Sequence, residues 1–149
     1  MIAGGYVLSH SAFWELASGK DTPTRAWINR QELQNVTVSV VTVGWILGEI
    51  SSSAPMQKRK NAEDCVRRCA ERFASIGCLH PIDIVIADRW SRLVFVEADE
   101  PNKWAWATSL ALDMTYVEHA DFDYGPMMAI GLRIFDPVEG QFVGHGLGL

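Results

Sequence analysis

The stretch Gly5-Tyr6-Val7-Leu8-Ser9-His10-Ser11 is a short apolar run that ends in small polar residues, and a helical pattern, Ala12 to Ser18, follows at once. A strand that stops and turns straight into a helix opens a βα unit. In an open parallel sheet, ligands bind beyond the carboxyl ends of the strands. Ser9, His10 and Ser11 are therefore expected at the mouth of the site, with the Ser11 hydroxyl capping the helix behind it.

A second unit begins at Val36-Thr37-Val38-Ser39-Val40-Val41-Thr42-Val43, which is β-branched almost throughout. Such a run reads as a strand covered on both faces, and Gly44 then turns it into a helical segment, Trp45 to Ser51. Between the two strands, Gly19 and Asp21-Thr22-Pro23 mark a turn, and Thr24 to Leu33 reads as a helix. After the break Ser51-Ser52-Ser53-Ala54-Pro55, Met56 to Ile76 is the longest helix, with Cys65, Val66, Cys69, Ala70 and Phe73 as its inward stripe. Leu79 to Asp83 reads as a short strand and turn leading into a helix, Ile84 to Arg92. A helix from Asn102 to Leu112 starts behind Pro101. Met114 to Val117 and Ile130 to Phe135 are further strands. This alternation predicts a three-layer α/β/α sandwich with a central, mainly parallel sheet. The domain is expected to span residues 1–137, with residues 138–149 as a flexible, glycine-rich tail.

A chain of 149 residues with 48% hydrophobic residues and six Trp can bury one sizeable core. A formal net charge of -5 gives no support to a general affinity for nucleic acid. No apolar run approaches the roughly 18 residues that span a bilayer. The N-terminus shows neither the basic flank nor the cleavage site of a signal peptide, so a cytoplasmic place and free thiols at Cys65, Cys69 and Cys78 are expected.

The order of segments resembles the PIN domain, the fold of VapC- and FitB-type toxin ribonucleases. The likeness is carried by Tyr6-Val7-Leu8-Ser9, Arg25-Ala26-Trp27-Ile28, Ser39-Val40-Val41-Thr42-Val43-Gly44, Pro81-Ile82-Asp83, Ala107-Thr108-Ser109-Leu110-Ala111, Thr115-Tyr116-Val117, Ala120-Asp121-Phe122 and Leu132-Arg133-Ile134-Phe135-Asp136-Pro137. It implies a metal-dependent endoribonuclease fold in which acidic residues converge on Mg²⁺ or Mn²⁺. Hard divalent cations take oxygen ligands, and carboxylates supply them with neutralising charge.

The chain departs from that pattern where the chemistry lies. The family's carboxylates fall on Ser9, Trp45 and Asn102, and only Asp121 keeps an acid. The resemblance therefore implies a catalytically degenerate member that binds no metal cofactor. It would act through protein or RNA binding, as a homodimer or with an antitoxin-like small protein across Phe13, Trp14, Trp45, Ile46 and Ile50. Lys58, Arg59, Lys60, Arg67 and Arg68 are candidates for RNA or an acidic partner, although Glu63, Asp64 and Glu71 interrupt them and suit a solvated face with i,i+4 pairs. The alternative is an active Mg²⁺- or Mn²⁺-dependent toxin with a rebuilt site drawn from Asp121, Glu118, Glu49 and Asp99. A serine hydrolase centred on Ser9, His10 and Ser11 is disfavoured, because neighbouring residues at a strand end point in alternate directions and no Gly-x-Ser-x-Gly elbow is present.

Overall fold

A computed structural model describes residues 5–53, 55–119 and 124–143. Strand β1 (Tyr6–Leu8) leads into helix α1 (His10–Ala17), which is followed by α2 (Pro23–Arg30) and a single 3₁₀ turn at Leu33–Asn35. Strand β2 (Val36–Ser39) runs directly into α3 (Val40–Ser53), and α4 (Met56–Ser75) precedes β3 (Leu79–His80). The second half comprises α5 (Ile84–Ser91), α6 (Glu100–Leu112), β4 (Thr115–Val117), α7 (Gly125–Ala129), β5 (Ile134–Asp136) and β6 (Gln141–Phe142).

Among the described residues the strands form one six-stranded sheet, ordered β3-β2-β1-β4-β5-β6. Every pairing is parallel except β5 with β6. The pleat divides the core in two, because successive strand residues face opposite sides. Leu8, Val36, Val38, Val117 and Phe135 pack with Phe13, Ile28, Ile46, Val66 and Phe73 under α1 to α4. Val7, Tyr116 and Ile134 pack on the other face with Ile86, Ala105, Trp106 and Met127. The expected α/β/α sandwich is the observed one.

Several boundaries differ from the sequence reading. The β-branched run stays extended only to Ser39, and Val40 to Val43 form the first turn of α3. The Ser39 hydroxyl accepts the Val41 N–H at 3.2 Å and so ends the strand. Thr42, Val43, Ile46 and Ile50 then make a buried stripe at helical spacing, and burial of that stripe outweighs a helix-propensity cost of well under about 1 kcal/mol per residue. Helix α1 starts at His10, so its cap is Ser9, not Ser11: the Ser9 hydroxyl accepts the Ala12 N–H at 3.1 Å. Ser11 lies in the first turn and is free to turn elsewhere.

The sheet also continues past residue 137. Asp136 Oδ1 accepts the N–H groups of Val138 (2.9 Å) and Glu139 (3.2 Å), and this turn brings Gln141–Phe142 back beside β5. The Phe142 ring meets Phe135 edge-on at 5.1 Å. Residues 138–143 are thus part of the fold rather than a tail; residues 144–149 lie outside the described residues. Gly5 is required where β1 begins: its φ is +83°, and a Cβ there would lie 2.4 Å from the Asn35 carbonyl oxygen. The cysteines are free thiols, and burial pushes Cys69 up to about 11 against the opposing charge of Arg72. Among the described residues, no helix is long and apolar enough to cross a membrane.

Candidate functional site

The carboxyl ends of β1 and β4 meet beneath a cleft. Leu8 pairs with Val117 in the parallel register, so the next residues along, Ser9 and Glu118, stand side by side. Both follow the pleat onto the face that carries Val7 and Tyr116. Glu118 is 1% exposed, and Ser9 and Tyr116 are fully buried.

The Glu118 carboxylate is ringed by donors. The Ser9 hydroxyl donates to Oε1 at 3.2 Å, the Ser11 hydroxyl at 2.8 Å and the His119 N–H at 3.2 Å. The Tyr116 hydroxyl lies 3.0 Å from Oε2 and also 3.0 Å from Asn102 Oδ1. Burial raises the Glu118 carboxyl above the ordinary carboxylate range. The Ser11 hydrogen bond, the His119 N–H and imidazole, and the Tyr116 hydroxyl oppose that rise. Tyr116 is held well above the usual phenol range by burial first and by the neighbouring Glu118 charge second.

Above this network lies a cleft of about 280 Å³ lined by His10, Ser11, Trp45, Glu49, Asp99, Glu100, Pro101 and Asn102. Its rim is acidic. Glu49 pairs with His10 Nε2 at 2.5 Å. Glu100 accepts the Trp90 indole N–H at 3.3 Å and faces the buried Lys103 ammonium at 3.6 Å. Trp90 itself stacks on Trp104 at 4.6 Å. Trp45 does not fill the site: α3 presents it outward at the rim, 45% exposed.

The sequence-derived candidates are distributed as follows. Ser9 and Asn102 are joined through Glu118 and Tyr116, and Trp45 shares the cleft with Asn102. Asp121 lies outside the described residues. Of the alternative acids, Glu49 and Asp99 line the cleft while Glu118 is sealed beneath it. Among the described residues, no three His, Cys, Asp or Glu side chains are placed to hold a metal ion together.

The expected partner-binding set needs correction. Phe13 is fully buried and packs towards Phe73, because α1 turns that face onto α4. Ile46 and Ile50, at 2% and 8% exposure, belong to the same core and lend only their edges to a second cleft of about 250 Å³ beside Trp14. Trp14 and Trp45 are the members of the set with substantial accessible surface.

On α4, Lys58, Lys60, Arg67 and Arg68 are exposed. Arg59 is committed to the Ser51 carbonyl at 2.8 Å, and Arg67 to Glu63 at 3.4 Å. Sequence reasoning missed Tyr116, and with it the pairing of Glu118 to Ser9 and Ser11. The available signal was strand parity: Tyr116 and Glu118 are two apart, as are Val7 and Ser9.

The six-stranded sheet, its order and its flanking helices define a PIN-like α/β/α fold. Solved structures with this architecture include FitAcB from Neisseria gonorrhoeae, which is 18% identical over 89% of this chain and 97% of its own, with a TM-score of 0.63. FitAB bound to an IR36 DNA fragment is 16% identical over 89% of this chain and 94% of its own, with a TM-score of 0.69. DNA-bound VapBC from Salmonella typhimurium is 15% identical over 89% and 98%, with a TM-score of 0.62. No protein-family model and no curated protein matches the sequence. The likenesses are of fold.

Proposed function

We propose that this chain is a PIN-fold toxin homologue that works by binding a partner and has lost metal-dependent cleavage of RNA. One observation carries the reading: at the mouth, where divalent-cation chemistry would need several free carboxylates, the buried carboxylate of Glu118 is hydrogen-bonded to the protein's own Ser9, Ser11 and Tyr116 hydroxyls. Ser9 and Asn102 are neutral, and Trp45 offers no oxygen. Mg²⁺ and Mn²⁺ fit this donor set poorly, so no catalytic step is assigned to them.

The partner in this reading is an antitoxin-like small protein, in keeping with the FitAcB and VapBC assemblies and a toxin–antitoxin complex from Klebsiella pneumoniae that share the fold. The cleft suits a cationic side chain from such a partner. Glu49, Asp99 and Glu100 supply carboxylates and Trp45 an accessible indole face, the combination that recognises a guanidinium. Homodimer formation and a cytoplasmic setting complete the proposal, with the exposed basic residues of α4 as a secondary surface for RNA or an acidic partner.

The alternative is an active endoribonuclease with Asp121 joined by Glu49, Asp99 and Glu118. Its support is that Glu49 and Asp99 line one cleft. A cleavage assay on single-stranded RNA with millimolar Mg²⁺ or Mn²⁺ separates the two. We expect no cleavage; cleavage abolished by Asp121→Ala overturns the proposal.

A further inference from the structure

We propose that Glu118 is a positioning residue, a buried carboxyl group whose hydrogen bonds, rather than a bound cation, hold the polar floor of the cleft from below. The inference rests on the metal-free reading above and extends it to a residue and a mechanism.

Glu118 does not itself line the cleft, but Ser11 and Asn102 do. Ser11 reaches Glu118 directly at 2.8 Å, and Asn102 reaches it through the Tyr116 hydroxyl, 3.0 Å from each. A single carboxylate therefore ties α1 and α6 to the end of β4. The fixed strand register supplies Ser9 as well, whose oxygen accepts from Ala12 N while its hydrogen points at Glu118. Three hydroxyls and one backbone N–H converge on the Glu118 carboxyl, and the single Tyr116 proton is shared between Glu118 Oε2 and Asn102 Oδ1.

The same geometry opposes a divalent ion. A cation at Oε1 would meet the hydrogens of Ser9, Ser11 and the His119 N–H, and those hydrogens present positive charge to the position it would occupy. Mg²⁺ demands near-octahedral oxygen coordination and sheds its waters reluctantly. It would gain one carboxylate here at the loss of at least two charge-assisted hydrogen bonds.

The test compares wild type, Glu118→Gln, Glu118→Ala and Tyr116→Phe. Melting temperature is read in EDTA and in millimolar Mn²⁺, and the Asn102 side-chain amide is followed by NMR in asparagine-labelled protein. We expect Mn²⁺ to leave the wild-type melting temperature unchanged and the Asn102 amide signals without selective paramagnetic broadening. Glu118→Gln, which keeps an acceptor oxygen, leaves the Asn102 amide near its wild-type position; Tyr116→Phe moves it. Glu118→Ala lowers the melting temperature by roughly 5–10 °C.

Two results overturn the proposal. One is a rise of several degrees with Mn²⁺ that Glu118→Gln abolishes, as a site filled in large excess over its dissociation constant would produce. The other is an Asn102 amide indifferent to Tyr116→Phe. Because Glu118→Gln and Tyr116→Phe are near-isosteric, the test stands even if Glu118→Ala fails to fold. Metal binding without RNA cleavage would sink this inference alone. Cleavage unaffected by Glu118→Gln would sink the proposed function alone.

Discussion

Two groups of carboxylates sit within one site and live by different rules. Glu118, sealed below the cleft, is matched by donors on both oxygens. Glu49 and Asp99, on the rim, face solvent, with Glu49 paired to His10 and 53% exposed. In a low-dielectric interior an unmatched carboxylate is costly, so its neighbours must be donors. At the rim solvent shares that work with His10, and the carboxylates stay within reach of something arriving from outside. The buried carboxyl is taken up by the fold itself, and the exposed carboxylates stay reachable from solvent.

The contrast can be broken most forcefully at its buried pole. Glu118→Ala leaves three hydroxyls without their acceptor and opens a cavity; urea unfolding should register a loss of about 2–4 kcal/mol. An effect no larger than that of a rim substitution would erase the distinction. Tyr116→Phe removes one hydroxyl and keeps the ring, for an expected loss of about 1–2 kcal/mol in the same measurement.

The pH dependence sharpens the comparison further. Burial raises the Glu118 carboxyl in the folded chain, so the folded state binds its proton more tightly than the unfolded one. This group's contribution to stability is then greatest below the ordinary carboxylate range and is lost as pH rises through the raised value. The stability difference between wild type and Glu118→Gln, followed by urea titration from acid to neutral pH, should shift against the wild type as pH rises. A flat difference would mean that Glu118 behaves like a rim carboxylate.

The smallest stability effect belongs to the rim. Glu49→Gln together with Asp99→Asn should change folding stability by within about 0.5–1 kcal/mol. The same double variant should bind an arginine-containing peptide probe more weakly in isothermal titration. Undiminished binding would remove the rim from partner recognition.

Much of the architecture could be read from the chain because it depends on local signals: the apolar run ending at Ser9, the β-branched run from Val36, the helical stripe ending at Phe73. The errors fall where local signals are nearly degenerate. Val40 to Val43 suit a strand or a helix within a fraction of a kilocalorie per residue, and the Ser39 hydroxyl together with the burial of Ile46 and Ile50 decides between them. Phe13, Ile46 and Ile50 looked available for a partner because amphipathicity does not say which of two apolar neighbours faces the sheet. Phe142, a lone aromatic among glycines, was the cue that the sheet continues.

The place of the site was legible from Ser9, but its organisation was not. That Glu118 stands beside Ser9 depends on β1 and β4 being adjacent in register, a contact across 109 residues of sequence. No local pattern encodes it. Once the adjacency is known, strand parity alone sends Ser9, Tyr116 and Glu118 to the same face.

The mouth is proposed to be assembled around an internal carboxyl group rather than a metal. A crystal soaked in Mn²⁺ and measured for anomalous scattering addresses it most directly. No manganese peak is expected within coordination distance of Glu118, with the Ser9 and Ser11 hydroxyls still directed at its carboxyl group. A peak bound jointly by Glu118 and Asp121 would contradict it.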